Sequence, residues 1–127
     1  MTDRATVEQL LNALYAARMN GPVDQLASLF APGVHFRIAG TSDGKPIAIT
    51  ADGIQAVRPW LAMLVKTFRV CDHQRLLTLV EGDHAAVHWS ATIHSRITGA
   101  QVSTELVDLV RISDRQIVSY AEIFVPH

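Results

Sequence analysis

Apolar residues recur at intervals of three and four along the first twenty residues of the chain. This spacing places them on one face of a helix that we expect to end near Asn20-Gly21. Thr6, followed three residues later by Gln9, indicates a capping box at the start of this helix. The residues of the helical stripe are Val7, Leu10, Leu11, Leu14, Tyr15 and Arg18.

A short second helix and a first strand follow. Pro22 suits the first turn of the helix, which carries Leu26, Leu29 and Phe30 and stops at Ala31-Pro32-Gly33. Residues 34–38 then alternate as a strand. Its two faces are formed by Phe36 with Ile38 and by His35 with Arg37.

The segment from Gly40 to Pro46 is rich in Gly, Ser, Asp and Lys, which predicts a loop or a wide hairpin turn. A third helix follows, with Asp52 as its N-cap candidate. Pro59 falls inside its pattern, and because proline lacks an amide donor, we expect either a kink there or a helix start near Pro59. The apolar face is Ile54, Val57, Leu61, Leu64, Val65 and Phe68.

From Val70 onward the period changes to two, which predicts strands at about 70–81, 84–98, 101–112 and 116–125. Helices come first and an antiparallel meander follows, which is an α+β order. The length suits one domain over residues 1–127. We expect three N-terminal helices packed on a strongly curved antiparallel sheet that encloses a pocket.

Asp108 is the one acid in an otherwise apolar alternation from Val102 to Ile112. Burial of an ionised carboxylate is costly, so such a group has a raised pKa, a hydrogen-bonded partner or a ligand. Asp108 is therefore the first candidate for function. We predict a net rise of its pKa, because its apolar neighbours outnumber its potential donors. Two alternatives stay open, a satisfied structural acid and a bulge that turns Asp108 outward.

The turn at Gly99-Ala100 determines what lies opposite Asp108. A two-residue turn places Ala91 opposite Asp108 and His94 opposite Glu105. One face of this hairpin is then apolar apart from its acid, which is typical of a small-molecule pocket. That face comprises Val87, Trp89, Ala91, Ile93, Leu106, Asp108 and Val110, and the polar face comprises His88, Ser90, Thr92, His94, Arg96, Ser103, Glu105 and Arg111.

The last strand has two possible registers. A three-residue turn from Ser113 to Arg115 places Tyr120 opposite Asp108, with Glu122 and Phe124 on the same face. A four-residue loop would place Ala121 and Ile123 there instead. We favour the first register. In that register Asp108 and Glu122 share one wall, where repulsion raises the pKa of one acid and makes an acid–base pair possible.

Composition narrows the function. The 12 acidic and 11 basic residues nearly cancel, and neither sign forms a run, so we expect no nucleic-acid or membrane partner. The N-terminus has no apolar signal region, and we expect a cytoplasmic protein. Cys71 is the single cysteine. His84 and His88 do not converge on a strand, so we expect no metal, and without a dinucleotide or phosphate motif no organic cofactor.

Two stretches resemble the SnoaL-like and ketosteroid-isomerase-related branch of the NTF2-like superfamily. They run from Tyr15 to Ala31 and from Leu106 to Ile112, the latter followed by Gln116-Ile117-Val118. The resemblance covers nearly the whole chain and implies a cone of helices and curled sheet around a ligand pocket.

The resemblance also implies site positions. The general-base position of the steroid isomerases falls on Ile38, their helix-one tyrosine on Leu14 with Tyr15 one residue later, and their late-strand acid on Asp108. Limonene-epoxide-hydrolase relatives require an Asp-Arg-Asp set. We expect Arg37 and Arg96 to face outward, so that set is not evident.

Together these features predict a small cofactor-independent enzyme that transfers protons on a small hydrophobic ketone or ester, in an isomerisation or an aldol-type cyclisation. The expected catalytic residues are Asp108, Glu122 and Tyr15. The alternative is a non-catalytic ligand-binding or dimerisation module, and we expect a homodimer through the outer sheet face of His88, Thr92, His94, Arg96 and Glu105. The expected ligand-binding residues are Leu14, Phe36, Ile38, Trp60, Trp89, Ile93, Leu106, Val110, Tyr120 and Phe124.

Overall fold

The computed structural model describes residues 3–42 and 44–126. Within them the chain forms helices α1 (Arg4–Asn20), α2 (Val23–Ala27) and α3 (Ile54–Lys66). The strands are β1 (Phe30–Ser42), β2 (Lys45–Asp52), β3 (Phe68–Glu81), β4 (His84–Ser95), β5 (Gln101–Ser113) and β6 (Gln116–Pro126). They form one curved, unclosed sheet in the order β2-β1-β6-β5-β4-β3. The predicted α+β class is confirmed. No helix among these residues is both long and apolar enough to cross a membrane.

The helix boundaries depart from the predictions at their N-termini. Asp3 caps α1, because its carboxylate accepts the backbone N–H of Thr6 at 2.8 Å. The predicted capping box of Thr6 and Gln9 is therefore wrong, since both residues lie inside the helix. Gly53, at φ 83°, occupies the N-cap of α3 in place of Asp52, which ends β2.

The second helix is shorter than predicted, and the third ends at Lys66, so that Phe68, expected on its apolar face, starts β3 instead. α2 ends at Ala27, and Phe30 starts β1 with its side chain buried in the core. α3 begins at Ile54, so Pro59 lies inside it and does not start it. Because proline has no backbone N–H, the carbonyl of Gln55 lacks the helical hydrogen bond that residue 59 would otherwise donate.

The segment predicted as a loop or a wide hairpin turn joins the two strands of a β-hairpin. β1 continues to Ser42, and β2 starts at Lys45, which pairs directly with Ser42. Asp43 lies outside the described residues. β2 covers one edge of β1, and β6 covers the other edge in parallel orientation. The sheet is therefore mixed, not purely antiparallel as the sequence indicated.

The β4–β5 connection is longer than the two-residue turn. Five residues, 96–100, join the strands, and Ser95 Oγ accepts the backbone N–H groups of Ile97 and Thr98. Asp108 consequently pairs with Val87 instead of Ala91, and Gln101 replaces Glu105 opposite His94. The observed pairing differs from the predicted one by a shift of four residues. Because four is an even number, every side chain of the two strands remains on its predicted face.

The β5–β6 hairpin combines a tight turn with a bulge. Asp114 and Arg115 form a two-residue turn with φ values of 52° and 61°, which suits the twist of a hairpin. The pairing then shifts by one residue at Val118. The favoured inward set of Tyr120, Glu122 and Phe124 is confirmed, but Glu122 rather than Tyr120 lies opposite Asp108.

The core lies between the helices and the inner face of the sheet. α1 contributes Leu11 and Leu14, α3 contributes Val57 and Leu61, and all four are almost fully buried. Near the sheet end, Gly40 of β1 pairs with Phe124 of β6, whose ring covers it. A Cβ at Gly40 would lie 2.6 Å from both the ring and the carbonyl oxygen of Phe124.

We therefore expect Gly40→Ala to destabilise the fold by about 1–3 kcal/mol, because the added methyl meets backbone as well as ring atoms. The measurement is the free energy of unfolding in urea. Gly33→Ala is the matched control, since nothing lies within 4 Å of a Cβ at Gly33. Equal stability of the two variants would contradict the close approach of β1 and β6 at Phe124.

Candidate active site

Two carboxylates lie side by side in the interior of the protein. Across the inner sheet face, Ile38, Glu122, Asp108 and Val87 form one row on β1, β6, β5 and β4. Asp108 has no exposed surface and Glu122 is 3% exposed. Asp108 therefore points inward, which excludes the alternative that a bulge turns it to solvent.

Asp108 receives both of its hydrogen bonds on one oxygen. The Tyr15 hydroxyl donates to Oδ2 at 2.5 Å, and Trp89 Nε1 donates to the same oxygen at 2.9 Å. Oδ1 is equally buried and has no hydrogen-bond partner among residues 3–42 and 44–126. Burial, and next the charge of Glu122, raise the pKa of Asp108 to about 7, although Arg18, Tyr15 and Trp89 favour its ionised form. The predicted rise is confirmed.

Glu122 is paired with Arg18, which reaches it from α1. Arg18 Nη1 donates to Glu122 Oε1 and Nη2 donates to Oε2 at 3.2 Å, while the Tyr120 hydroxyl donates to Oε1 at 3.2 Å. The guanidinium also stacks over Trp89, 5.1 Å from its ring centroid. Burial lowers the pKa of Arg18, but the charge and hydrogen bond of Glu122, together with Tyr120 and Asp108, outweigh burial and raise it.

The charges of this cluster indicate where its proton resides. One buried cation faces two buried acids, so the cluster is neutral when one acid is protonated. Glu122 holds the direct ion pair, and the proton therefore belongs to Asp108. Because Oδ2 already accepts two hydrogen bonds, the proton of the acid form lies on Oδ1. Asp108 can then donate an O–H from its one oxygen without a protein partner.

An aromatic group surrounds the Tyr15 side of Asp108. The rings of Tyr15 and Trp89 meet edge to face at 5.8 Å, and His73 lies 5.3 and 5.1 Å from them. The Arg75 guanidinium stacks over Tyr15 at 5.4 Å. Burial and the charge of Asp108 raise the pKa of Tyr15, so its hydroxyl remains a donor.

The three expected catalytic residues are brought together. Asp108 accepts a hydrogen bond from Tyr15 and lies opposite Glu122 in the pairing of β5 with β6. The expected ligand-binding residues all belong to or pack against the same core, with Trp60, Ile93 and Phe124 partly exposed at its margin. The remainder, namely Leu14, Phe36, Ile38, Trp89, Leu106, Val110 and Tyr120, are buried. Their contact with a ligand stays a prediction.

Two open cavities on the surface of the described residues have volumes of about 700 and 240 Å³. The larger one crosses the outer sheet face, with Leu79, Ala86, Leu109 and Ala121 among its lining residues. Neither cavity is lined by Asp108. The predicted pocket over Asp108 therefore stays a prediction, and a substrate would have to displace side chains at the margin of the core to reach it.

The sequence interpretation missed Arg18, and it favoured a surface position for His73 over a place at the pocket mouth. Arg18 lies in the same helical stripe as Leu11 and Leu14. A single charged residue in an apolar pattern made Asp108 a candidate, and the same signal could have identified Arg18. His73 follows Asp72, whose φ of 54° marks a bulge in β3. That bulge breaks the alternation, so parity gave no signal that His73 turns toward Trp89.

Comparison with known proteins places this architecture in a family. Residues 11–120 match the model of the SnoaL-like domain. The chain belongs to the SnoaL-like domain family. The resemblance inferred from the sequence is thus confirmed.

Solved structures share the fold of this SnoaL-like domain at low sequence identity. A proposed isomerase from Bacillus subtilis has a TM-score of 0.80 at 15% identity, over 98% of this chain and 89% of that one. An NTF2-like protein from Burkholderia xenovorans has a TM-score of 0.74 at 19% identity, over 98% and 92% of the two chains. No curated protein sequence matched.

A third solved structure is SalBIII, an epoxide hydrolase/cyclase-like enzyme of pyran ring formation in salinomycin. Its TM-score is 0.78 at 16% identity, over 98% of this SnoaL-like domain and 94% of SalBIII. At these identities the three structures share the NTF2-like fold with this domain, and the similarity does not extend to an activity.

The site of this SnoaL-like domain differs from the positions that the resemblance implied. Ile38 is buried beside Glu122 and offers no base. Tyr15, one residue beyond the expected Leu14, is the tyrosine that reaches the acid. Arg37 and Arg96 are exposed as expected, whereas Arg18 is an inward-facing arginine that pairs with Glu122.

We expect Asp108→Asn to stabilise the fold at pH 8, by on the order of 1 kcal/mol for each unit by which the pKa rises. The folded pKa, about 7, lies above the ordinary 3.8. The wild-type carboxyl therefore favours the folded state most below pH 3.8 and loses that contribution as the pH rises through about 7. The advantage of the variant should shrink from pH 8 to pH 5.

Unfolding free energies in urea at several pH values measure this difference. Asp24→Asn is the control, because Asp24 and its ion-pair partner Arg58 are both exposed, and loss of such a surface pair should change stability by less than about 1 kcal/mol at each pH. An Asp108→Asn protein that is less stable than the wild type at pH 8 would identify Asp108 as a satisfied, ionised structural acid.

Proposed function

We propose that this SnoaL-like domain is a small cofactor-independent enzyme that transfers protons on a small hydrophobic ketone or ester. The reaction class is isomerisation or aldol-type cyclisation. The observation that carries the proposal is Asp108, a buried carboxyl whose pKa of about 7 suits proton transfer and whose Oδ1 has no protein partner.

In this reaction Asp108 acts as the general acid. Its Oδ1–H donates to the substrate carbonyl oxygen as negative charge develops there. Tyr15 and Trp89 fix the carboxyl through Oδ2 and stabilise the carboxylate that remains after the proton has left. Tyr15 thus has a supporting part, since its hydroxyl is already committed to Asp108.

Glu122 and Arg18 set the charge around that step. Glu122 disfavours ionisation of Asp108, which keeps the acid protonated near neutral pH, and Arg18 compensates the charge that appears when the proton is transferred. Both are almost fully buried, so water screens these interactions weakly. Glu122 therefore tunes the acid and is not required to contact the substrate.

The substrate would enter at the end of the sheet where the core margin is partly exposed. Phe124 of β6 pairs with Leu106, two residues along β5 from Asp108. Ile93 of β4 pairs with Val102, six residues along β5 from Asp108. Both side chains are apolar and partly buried, as is Trp60 of α3. Such a margin favours an apolar molecule with one polar group.

Epoxide opening is a second candidate. A buried arginine, Arg18, pairs with Glu122 close enough to Asp108 for its charge to act on that acid, and SalBIII, which shares the fold, is epoxide hydrolase/cyclase-like. In this reaction Asp108 would donate its proton to the epoxide oxygen while a water or a substrate hydroxyl attacks the carbon, and the proton that this nucleophile loses would restore the acid form of Asp108. The same acid serves both reactions, and an epoxide panel beside the ketone panel separates them.

The alternative from another class is a non-catalytic ligand-binding or dimerisation module. Ile38 at the position of the steroid-isomerase base supports it, and so does the tight packing around Asp108. In that case the buried cluster would serve fold specificity alone.

We also propose a homodimer through the outer sheet face. Exposed aliphatic residues cluster there, with Leu79 and Leu109 standing beside the small Ala86 and Ala121 in the larger cavity. Leucines that project beside a groove lined by alanines form a surface that can pack against the same surface of a second copy of the chain. His88, one of the histidines expected in the contact, already has a partner within its own chain, because its Nε2 lies 2.6 Å from Glu105 Oε1.

We expect the wild-type protein to catalyse incorporation of deuterium from D₂O next to the carbonyl of cyclic ketones, enones or polyketide-type esters, and Asp108→Asn to lower the rate by about 10²–10⁴-fold. NMR follows the exchange. Asp24→Asn should keep the wild-type rate. Ligand binding in the same panel without any exchange or epoxide opening would support the non-catalytic module instead.

For the assembly, we expect sedimentation at micromolar concentration to give twice the 13.9 kDa mass of the chain. Leu109→Asp should return the protein to the monomer, because it places a charge among the exposed aliphatic side chains. Thr41→Asp, on an exposed position of β1, is the control. A wild-type monomer would contradict the proposed dimer.

A further inference from the structure

Three buried side-chain polar atoms lack a hydrogen-bond partner in the described part of the chain, Arg18 Nε, His73 Nε2 and Asp108 Oδ1. All three residues contact Trp89. The Arg18 guanidinium lies over its ring, the His73 ring lies 5.1 Å away, and Asp108 accepts its indole N–H. Buried polar groups are nearly always satisfied, so these three atoms are available to a water or a ligand.

His73 is positioned by the bulge of β3. Asp72, at φ 54°, adds residues between the pairs Cys71–Thr92 and Gln74–Ser90, and His73 leaves the regular alternation there. Its ring remains partly exposed while its Nε2 is shielded. The Nε2 edge therefore faces the interior, against the two rings that hold Asp108.

The surroundings of His73 favour its neutral form. Burial, followed by the charges of Arg75 and Arg18, lowers its pKa below the ordinary value. Tyr15 packs against the ring as an uncharged phenol, and the charge of Asp108 is removed when that acid is protonated. At neutral pH the imidazole is uncharged, and in its Nδ1–H tautomer Nε2 carries a free lone pair.

Glu122 is less suited than His73 to remove a proton from a substrate carbon. Its Oε1 accepts from both Arg18 and Tyr120, and its Oε2 accepts from Arg18. Removing a proton from carbon would require Glu122 to loosen a buried ion pair. His73 has no such commitment at Nε2.

We propose that His73 is the general base of the reaction proposed above, its Nε2 removing the proton from the carbon next to the substrate carbonyl while Asp108 donates from Oδ1. This inference rests on the proposed function. It supplies the base that the position of Ile38 lacks.

The proton balance of the step is closed. The electron pair of the broken C–H bond forms the C=C bond of an enol, and the carbonyl oxygen takes the Asp108 proton. His73 is then an imidazolium and Asp108 a carboxylate. Return of the His73 proton to a conjugated carbon, and of the enol proton to Asp108, completes an isomerisation without oxidant or cofactor.

The test is the deuterium-exchange assay with cyclic ketones and enones in D₂O. We expect His73→Phe, which keeps a packed ring, and His73→Gln each to lower the exchange rate by about 10²–10⁴-fold. His35→Gln, an exposed histidine on the opposite sheet face, should keep the wild-type rate. Thermal melts show that each variant is folded, and His73→Gln carries the test if His73→Phe fails to fold.

The pH profile gives a readout that a packing role would not produce. The wild-type rate should rise as His73 loses its proton below neutral pH and fall as Asp108 ionises above about 7. The residual activity of His73→Gln should lose the first limb and keep the second. ¹⁵N NMR of the free protein should show Nδ1, not Nε2, protonated at pH 7.

Exchange that requires Asp108 but is unchanged in His73→Phe and His73→Gln would overturn this inference and leave the proposed function intact. A wild-type protein with no exchange above the buffer rate would overturn both. Protonation of Nε2 at pH 7 would also overturn the assignment, because that nitrogen would then be a donor.

Discussion

The pairing of Asp108 with Glu122 across β5 and β6 is the constraint on which the site depends. Two acids at neighbouring positions in a dry interior cannot both be ionised beside a single cation without a large electrostatic cost. Arg18 fixes the charge of Glu122 by a direct ion pair, and Asp108 is left to hold the proton. The raised pKa of Asp108 thus follows first from its burial and second from the charge of Glu122 opposite it.

Strand parity explains why so much of the fold could be predicted from the sequence. The β4–β5 register was wrong by four residues, yet Trp89, Leu106 and Asp108 still face the core, because an even shift preserves the face of every side chain. The β5–β6 hairpin shows the limit of the argument. Its tight turn at Asp114 and Arg115 would have turned Glu122 outward, and the bulge at Val118 brings it back.

The parts that could not be predicted are those in which the chain departs from simple periodicity. β2 is an exception, because Ile47, Ile49 and Ala51 alternate with exposed residues along it and the strand was still missed after the turn-forming segment before it. The bulge at Asp72 redirects His73, and no local pattern distinguishes that histidine from one on a surface. Arg18 differs, because it did lie in the apolar stripe of α1. It was overlooked since a long cationic side chain at a stripe edge commonly extends to solvent.

Helix α1 connects the two halves of the site. Tyr15 and Arg18 are three residues apart and so share one helix face, separated by about 4.5 Å along the axis. Neighbouring strands are separated by about 4.8 Å. This match lets Tyr15 reach Asp108 on β5 while Arg18 reaches Glu122 on β6. Leu11 and Leu14 anchor the same helix in the core. A displacement of α1 by one residue would move the phenol and the guanidinium off their acids together. The packing of an apolar helix face therefore determines which carboxylate is charged and which one holds the proton.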